Sequence, residues 1–183
     1  MLRPLAAALC SSLMLWLSAW AEWPAWDFTQ ILLKAEQRYG NLGNAKTRLL
    51  AWNELMQSNS GLGETEKLTL VNSFFNRQFR FSDDSRNWRQ TDYWATPVEA
   101  LIKGAGDCED YSIAKYFTLR RLGVPSDKLR ITYVKALQYN QAHMVLTYYA
   151  SPTATPLVLD NLIGEIRPAS LRKDLLPVYA FNA

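Results

Sequence analysis

Cys108 is a thiol set among acids, in the run Gly106-Asp107-Cys108-Glu109-Asp110, and the chain offers one histidine, His143, to serve it. A nucleophilic Cys with a distant His and an Asp is a route to acyl transfer. Cys108 reads as the start of a helix. Unpaired N–H groups and the helix dipole favour a thiolate there, and the same donors can receive the oxyanion of a tetrahedral intermediate. Asp107, Glu109 and Asp110 act the other way, because carboxylates beside a thiol raise its pKa. A bound cation or an imidazolium would offset them. Three closely spaced carboxylates are hard oxygen ligands that suit Ca2+, although the spacing is not that of an EF-hand.

His143 and Asp160 fall on consecutive expected strands. A hairpin centred between Ser151 and Pro152 would pair them directly, on one face, with Cβ atoms roughly 4.5–5.5 Å apart. Asp160 would then orient the imidazole and hold its tautomer. A slip of one residue would put the two on opposite faces. Each residue also has a plainer reading: a small buried Cys, a structural His, a turn-forming Asp. Their conjunction, with no spare Cys or His in the expected mature chain, favours catalysis.

The elements that must position these residues come in two blocks. Phe28, Ile31, Leu32, Ala35 and Tyr39 mark one helical face, ended by Gly40. Ala45, Leu49, Trp52 and Met56 mark a second helix, closed by residues 58–63. Leu68, Val71, Phe75 and Phe79 mark a third. Spacings of three and four make all of these core-facing stripes. Phe81 to Thr96 is polar and reads as a long surface loop. Pro97 opens a short helix over Val98 to Ile102, and Gly104-Ala105-Gly106 breaks it. Asp107 can cap the next helix, Cys108 to about Leu122, which buries Ile113, Ala114 and Phe117 and stops at Gly123-Val124-Pro125. The period then changes to two, over Leu129 to Val134 and Ala142 to Tyr149, with a third strand over Pro156 to Asp160. Helices first and strands second indicate an α+β fold in a single domain, residues 22–183.

Residues 1–21 read as a secretory signal. Arg3 supplies the positive start, residues 5–17 are mostly apolar, and Ala19-Trp20-Ala21 has a small-x-small cleavage pattern, so the mature chain begins near Glu22 in the periplasm. The run is too short to favour a membrane span. Cys10 leaves with it, since Ala8-Leu9 before it do not make a lipobox, and Cys108 is then the one thiol. An exported protein normally pairs its cysteines, so a lone thiol in an oxidising compartment implies a use for it. Without the leader 19 basic and 17 acidic side chains remain, a net of +2. That is too little to argue for nucleic acid. No CxxC or His-rich tract indicates zinc.

The blocks Asp92-Tyr93-Trp94-Ala95-Thr96-Pro97, Gly104 through Tyr111, Ala142-His143-Met144-Val145-Leu146 and Leu159-Asp160-Asn161 resemble the bacterial transglutaminase-like cysteine proteinases. The tail, Arg167-Pro168-Ala169-Ser170 through Phe181-Asn182, is similar too. The resemblance implies a papain- or transglutaminase-like fold, with the Cys on a central helix and the His and Asp on strands. It implies Cys108 as nucleophile, His143 as general base and then acid, and Asp160 as the orienting residue. It also implies a calcium requirement, with Asp107, Glu109 and Asp110 at the metal positions. The implied substrate is a large surface adhesin, cut near its N-terminus at a dialanine site, which releases it and disperses biofilm. The implied partner is an inner-membrane cyclic-di-GMP receptor of the LapD type, which sequesters the protease. Trp94 is a further groove candidate, because an aromatic can border the oxyanion position in such sites and an indole N–H is a donor. Packing is its plainer role.

Two other readings use the same residues. Transglutaminase-type acyl transfer differs only in what attacks the thioester, and stable incorporation of a labelled amine into a glutamine substrate would mark it. A non-catalytic calcium-dependent binding module would keep its function in a Cys108→Ala variant. A disulfide oxidoreductase lacks its resolving cysteine.

Overall fold

The computed structural model describes residues 26–182. The expected leader, its cleavage site and Cys10 lie outside them. Among the described residues no helix is long and apolar enough to cross a membrane.

The first three helices form where the apolar spacing puts them. Helix α1 (Phe28–Tyr39) starts at Asp27, whose carboxylate accepts from the Gln30 N–H at 3.0 Å, and ends at Gly40 with φ +73°. That left-handed turn favours glycine. Helix α2 (Asn44–Ser58) buries Ala45, Leu49, Trp52 and Met56, the four expected positions. Helix α3 (Glu64–Gln78) buries Leu68, Val71 and Phe75. These faces close on one apolar core with the inner face of a sheet.

A two-residue strand β1 (Arg80–Phe81) follows, then a short helix α4 (Asp84–Asn87). The expected surface loop is therefore only partly one: Ser82, Asp84 and Ala95 are buried. Its polar composition conceals this, because the carboxylate of Asp84 is drawn inward by the Tyr93 N–H. Helix α5 (Pro97–Lys103) begins with a reciprocal cap between Thr96 and Glu99 and ends at Gly104, φ +62°. Strand β2 (Ala105–Gly106) pairs in parallel with β1 and ties down the approach to helix α6 (Cys108–Arg121). At Gly106 a Cβ would sit 2.6 Å from the Asp110 carboxylate, a collision that explains the glycine.

Helix α6 is central. It packs on α3, on α5 and on the sheet. Its burial is broader than the expected stripe. Asp110, Tyr111, Ser112, Ala114, Lys115, Tyr116, Thr118 and Leu119 are buried, whereas Ile113 and Phe117 are only half-buried. A helix surrounded on several sides has no single apolar stripe to read. Two of the polar groups inside are paired within the core: Thr118 accepts from the Trp52 indole at 2.8 Å, and the Tyr111 hydroxyl donates to the Phe79 carbonyl at 2.8 Å.

Five strands complete the fold: β3 (Leu129–Ala136), β4 (Gln141–Tyr148), β5 (Leu157–Leu159), β6 (Arg167–Pro168) and β7 (Leu175–Phe181). They form an antiparallel sheet in the order β6-β5-β4-β3-β7. The α+β expectation holds. Strand β7 escaped the sequence reading because Pro177 interrupts it. An edge position tolerates that proline.

Candidate active site

The hairpin register differs from the expected one by two residues. Leu146 pairs with Leu159 and Tyr148 with Leu157, so Asp160 lies level with Val145 rather than His143. A slip of two preserves the face where a slip of one would lose it. Asp160 therefore stays within reach, and its Oδ1 lies 2.8 Å from His143 Nε2. Both side chains are buried, at 5% and 1% exposure. With Nε2 engaged, Nδ1 is the imidazole atom left for a reacting group.

Asp160 is held from several sides. Its Oδ2 accepts from Arg172 at 2.6 Å, and its Oδ1 also accepts from the Leu162 N–H at 3.0 Å. Asn76 of α3 donates to its carbonyl at 2.8 Å. Burial alone would raise the Asp160 pKa. The hydrogen bond and charge of His143, together with Arg172 and Leu162, outweigh it and hold the carboxyl down to about 2. The buried Arg172 is itself oriented by Asp174, at 2.9 Å from Nε and 2.7 Å from Nη2. No sequence pattern singled Arg172 out, since a basic residue 12 positions beyond an Asp has no spacing rule to announce it.

Cys108 opens α6 and shares two cavities with His143. One, of about 530 Å³, is walled by Trp94, Tyr133 and Tyr179 and rimmed by Asp83 and Asp92. The other, of about 420 Å³, is lined by Tyr111, Tyr139 and Leu162. Phe81, Gln141 and Ala142 border both. Cys108 and His143 thus sit at the middle of a cleft open to either side. The thiol donates to Glu109 Oε2 at 3.1 Å. Burial, then the charge and hydrogen bond of Glu109, then Asp107, raise its pKa well above the ordinary thiol value, against one opposing Met144 N–H.

The acids beside it form a tighter cluster than the run in sequence implies. Ligand atoms of Asp84, Asp107 and Asp110 lie within 4.8 Å of one another, as do those of Asp84, Asp92 and Glu109. Asp84 belongs to both groups and was hidden in the apparent surface loop. Asp107 stands at the N-cap position but makes no side-chain cap. Its carboxylate turns into the cluster instead. Asp84 Oδ1, Asp107 Oδ1 and Asp110 Oδ2 are buried and find no hydrogen-bond partner among the described residues. Burial, followed by neighbouring carboxylates, raises Asp107 to about 9. Asp110 rises to about 7, with burial again the first cause. Buried acceptors with no donor fit a hard cation with oxygen ligands.

A Cys at the head of a buried helix, with a His–Asp pair on the adjoining sheet, is an arrangement of transglutaminase-like cysteine proteinases. The bacterial family of that name, BTLCP, matches residues 46–172, and the chain belongs to it. Among solved structures it is similar to Legionella pneumophila LapG, with 47% identity over 84% of this chain and 83% of that one, at a TM-score of 0.74. A calcium-bound form of that LapG matches to the same degree. An EGTA-treated form matches at 46% identity, 84% and 81% coverage, and a TM-score of 0.73. No curated protein matches the chain.

Proposed function

We propose that the chain is a calcium-dependent periplasmic cysteine endopeptidase that cuts the N-terminal region of a large surface adhesin at a dialanine site. The cut would release the adhesin and promote biofilm dispersal, under control of a LapD-like cyclic-di-GMP receptor of the inner membrane. The observation that carries the catalytic part is the buried chain His143–Asp160–Arg172, whose histidine lines the same cleft as Cys108. Family membership and the likeness to LapG support the rest.

Each residue has a step. His143 Nδ1 takes the thiol proton as Sγ attacks the scissile carbonyl. Asp160 fixes the Nε2–H tautomer and stabilises the imidazolium. N–H groups at the start of α6 receive the oxyanion. The intermediate collapses, the leaving amine takes the proton from His143, and the peptide stays on Cys108 as a thioester. Water, deprotonated by His143, then releases it. Asp84, Asp107 and Asp110, with Glu109 and Asp92 beside them, would hold the calcium. When bound, the ion supplies the positive charge that lets these carboxylates stay ionised next to a thiol.

The test is cleavage of an adhesin N-terminal fragment with a dialanine site by the mature protein, in calcium and in chelator. The reading requires cutting that calcium supports and chelation stops. Cutting at full rate in chelator would remove the calcium role, and no cutting in either condition would remove the protease.

Arg172 gives a separate prediction. Arg172→Gln leaves Asp160 buried without its cation, which costs about 3–5 kcal/mol of stability. It also lowers kcat by at least about tenfold with KM little changed, as expected when an orienting carboxylate loses its own support. Arg172→Lys should recover part of kcat. His143 is the chain's single histidine, so a histidine-labelled NMR spectrum of untagged protein reports its tautomer directly. Loss of the single-tautomer signature in Arg172→Gln is expected. An unchanged spectrum and unchanged kcat in the folded variant would deny Arg172 this role.

A further inference from the structure

Resting on the endopeptidase reading, we propose that an aromatic ladder running from the cleft onto β7 is an extended binding surface for the substrate polypeptide. It would grip apolar residues on one side of the cut.

The ladder has four rings. Tyr133 of β3 stacks on Tyr179 of β7 with centroids 5.1 Å apart and planes 6° apart. Tyr179 lies 6.2 Å from Phe181, and Phe181 lies 6.4 Å from Trp94, both pairs near parallel. The pairing explains the geometry: Tyr133 is directly opposite Tyr179, and Phe181 follows two residues on, pointing to the same face. A ladder built only for stability would be covered. This one is covered only in part: Tyr133 and Phe181 pack against the core, whereas Tyr179 is 56% exposed and Trp94 47%. Large aromatic side chains left exposed at a cavity wall are the usual mark of a binding surface.

The occupant follows from continuity. Tyr133, Tyr179 and Trp94 wall the same cavity that Cys108 and His143 line. Whatever chain is cut at Cys108 must leave the cleft on this side over these rings, or on the other side past Tyr139 and Leu162. An extended chain advances about 3.3 Å per residue with alternate side chains on one face. Rings spaced 5–6 Å apart therefore meet alternate residues of such a chain closely enough to pack against each. Strand β7 is also the sheet's edge, pairing with β3 alone among the described strands. Its outer main-chain groups can accept an added strand.

Trp94 is held in place by the acidic cluster. The Tyr93 N–H donates to Asp84, and the Ala95 N–H donates to Asp110 Oδ1 at 2.8 Å. The far rung of the ladder is thus pinned on both sides by residues of the candidate metal site.

The test uses the mature protein, its Tyr179→Ala and Tyr179→Phe variants, and Ala180→Ser as a control on the alternate side of the strand. Cleavage kinetics are measured on the adhesin N-terminal fragment. Binding of the same fragment to each variant in a Cys108→Ser background is measured by calorimetry, where no turnover is needed. Tyr179→Ala should raise KM and Kd about tenfold with kcat within twofold. Ala180→Ser should match the parent, and Tyr179→Phe, which keeps the ring, should reverse most of the rise in KM and Kd seen in Tyr179→Ala. Equal binding by the parent and Tyr179→Ala, or no binding by either, overturns the ladder. Ring-dependent binding without any cutting overturns the protease reading and leaves the ladder standing. Circular dichroism of Tyr179→Ala separates lost binding from lost folding, and Tyr179→Leu, which keeps bulk without a ring, should show the same KM defect if the alanine variant unfolds.

Discussion

Cys108→Ala removes cleavage of the adhesin fragment, a loss of about 10⁴-fold or more in kcat, and leaves the fold in place. The size of the effect follows from what surrounds the sulfur. The larger cavity beside it holds carboxylates, aromatics, Gln141, Ala142, His143 and Met144, and no Ser, Thr or Lys. No other side chain there forms an acyl-enzyme readily. The small effect on folding follows from how little the thiol holds: a 3.1 Å contact to Glu109, which itself places a thiol against a carboxylate, and the Met144 N–H. A melting temperature within a few degrees of the parent is expected. Residual cutting above a few per cent, with the variant shown free of contaminating protease, would sink the nucleophile assignment.

The second large effect separates the metal from the fold. Asp107 and Asp110 have folded-state pKa values raised to about 9 and about 7. Raised carboxyl values mean that the protonated forms fit the folded state best. In chelator their stabilising contribution is fully present below about pH 4, the ordinary carboxyl range, and is lost as pH rises through 7 and then 9. The chelated protein should therefore melt progressively lower between pH 5 and pH 9, and calcium should oppose that fall. Asp110→Asn removes one of the buried charges while its side-chain oxygen still accepts from Ala95. In chelator at pH 8 it should melt about 5 °C or more above the parent. In calcium the order should reverse, and calcium-stimulated cleavage should be gone. A parent protein whose chelated melting temperature is flat from pH 5 to pH 9 would contradict the account, as would an Asp110→Asn variant that still responds to calcium.

Legibility in the sequence followed the physics of each element. Helices with one apolar face declared themselves: Leu49, Trp52 and Met56 are spaced as core residues and are core residues. Helix α6 declared its span but not its buried face, because a helix packed on several sides has no single apolar stripe to read. His143 and Asp160 could be brought to one face by counting, yet the true register lies two residues away. The period of two keeps both residues on one face all the same. Asp84 was illegible because an acid in a polar stretch reads as solvated, and nothing local says that the stretch folds back over the start of α6. Arg172 and Tyr179 were illegible for a related reason. Their roles exist only after the chain has returned to the sheet, and such long-range placement leaves no mark in neighbouring residues.

That return has a consequence in time. The helix that carries Cys108 comes early in the chain, but the carboxylate bonded to the His143 imidazole is held by Arg172, and Tyr179 of the last strand forms part of the cleft wall. A chain that emerges N-terminus first, from a ribosome or through a membrane, carries its thiol exposed to the surroundings for some 60 residues before the rest of the machinery arrives. Until residues 167–181 have docked, the sheet lacks both its edge strands and Asp160 lacks its cation. On the endopeptidase reading the order of synthesis would act as a safety catch, because a chain that still lacks residues 167–181 lacks the support of its imidazole pair and one wall of its cleft.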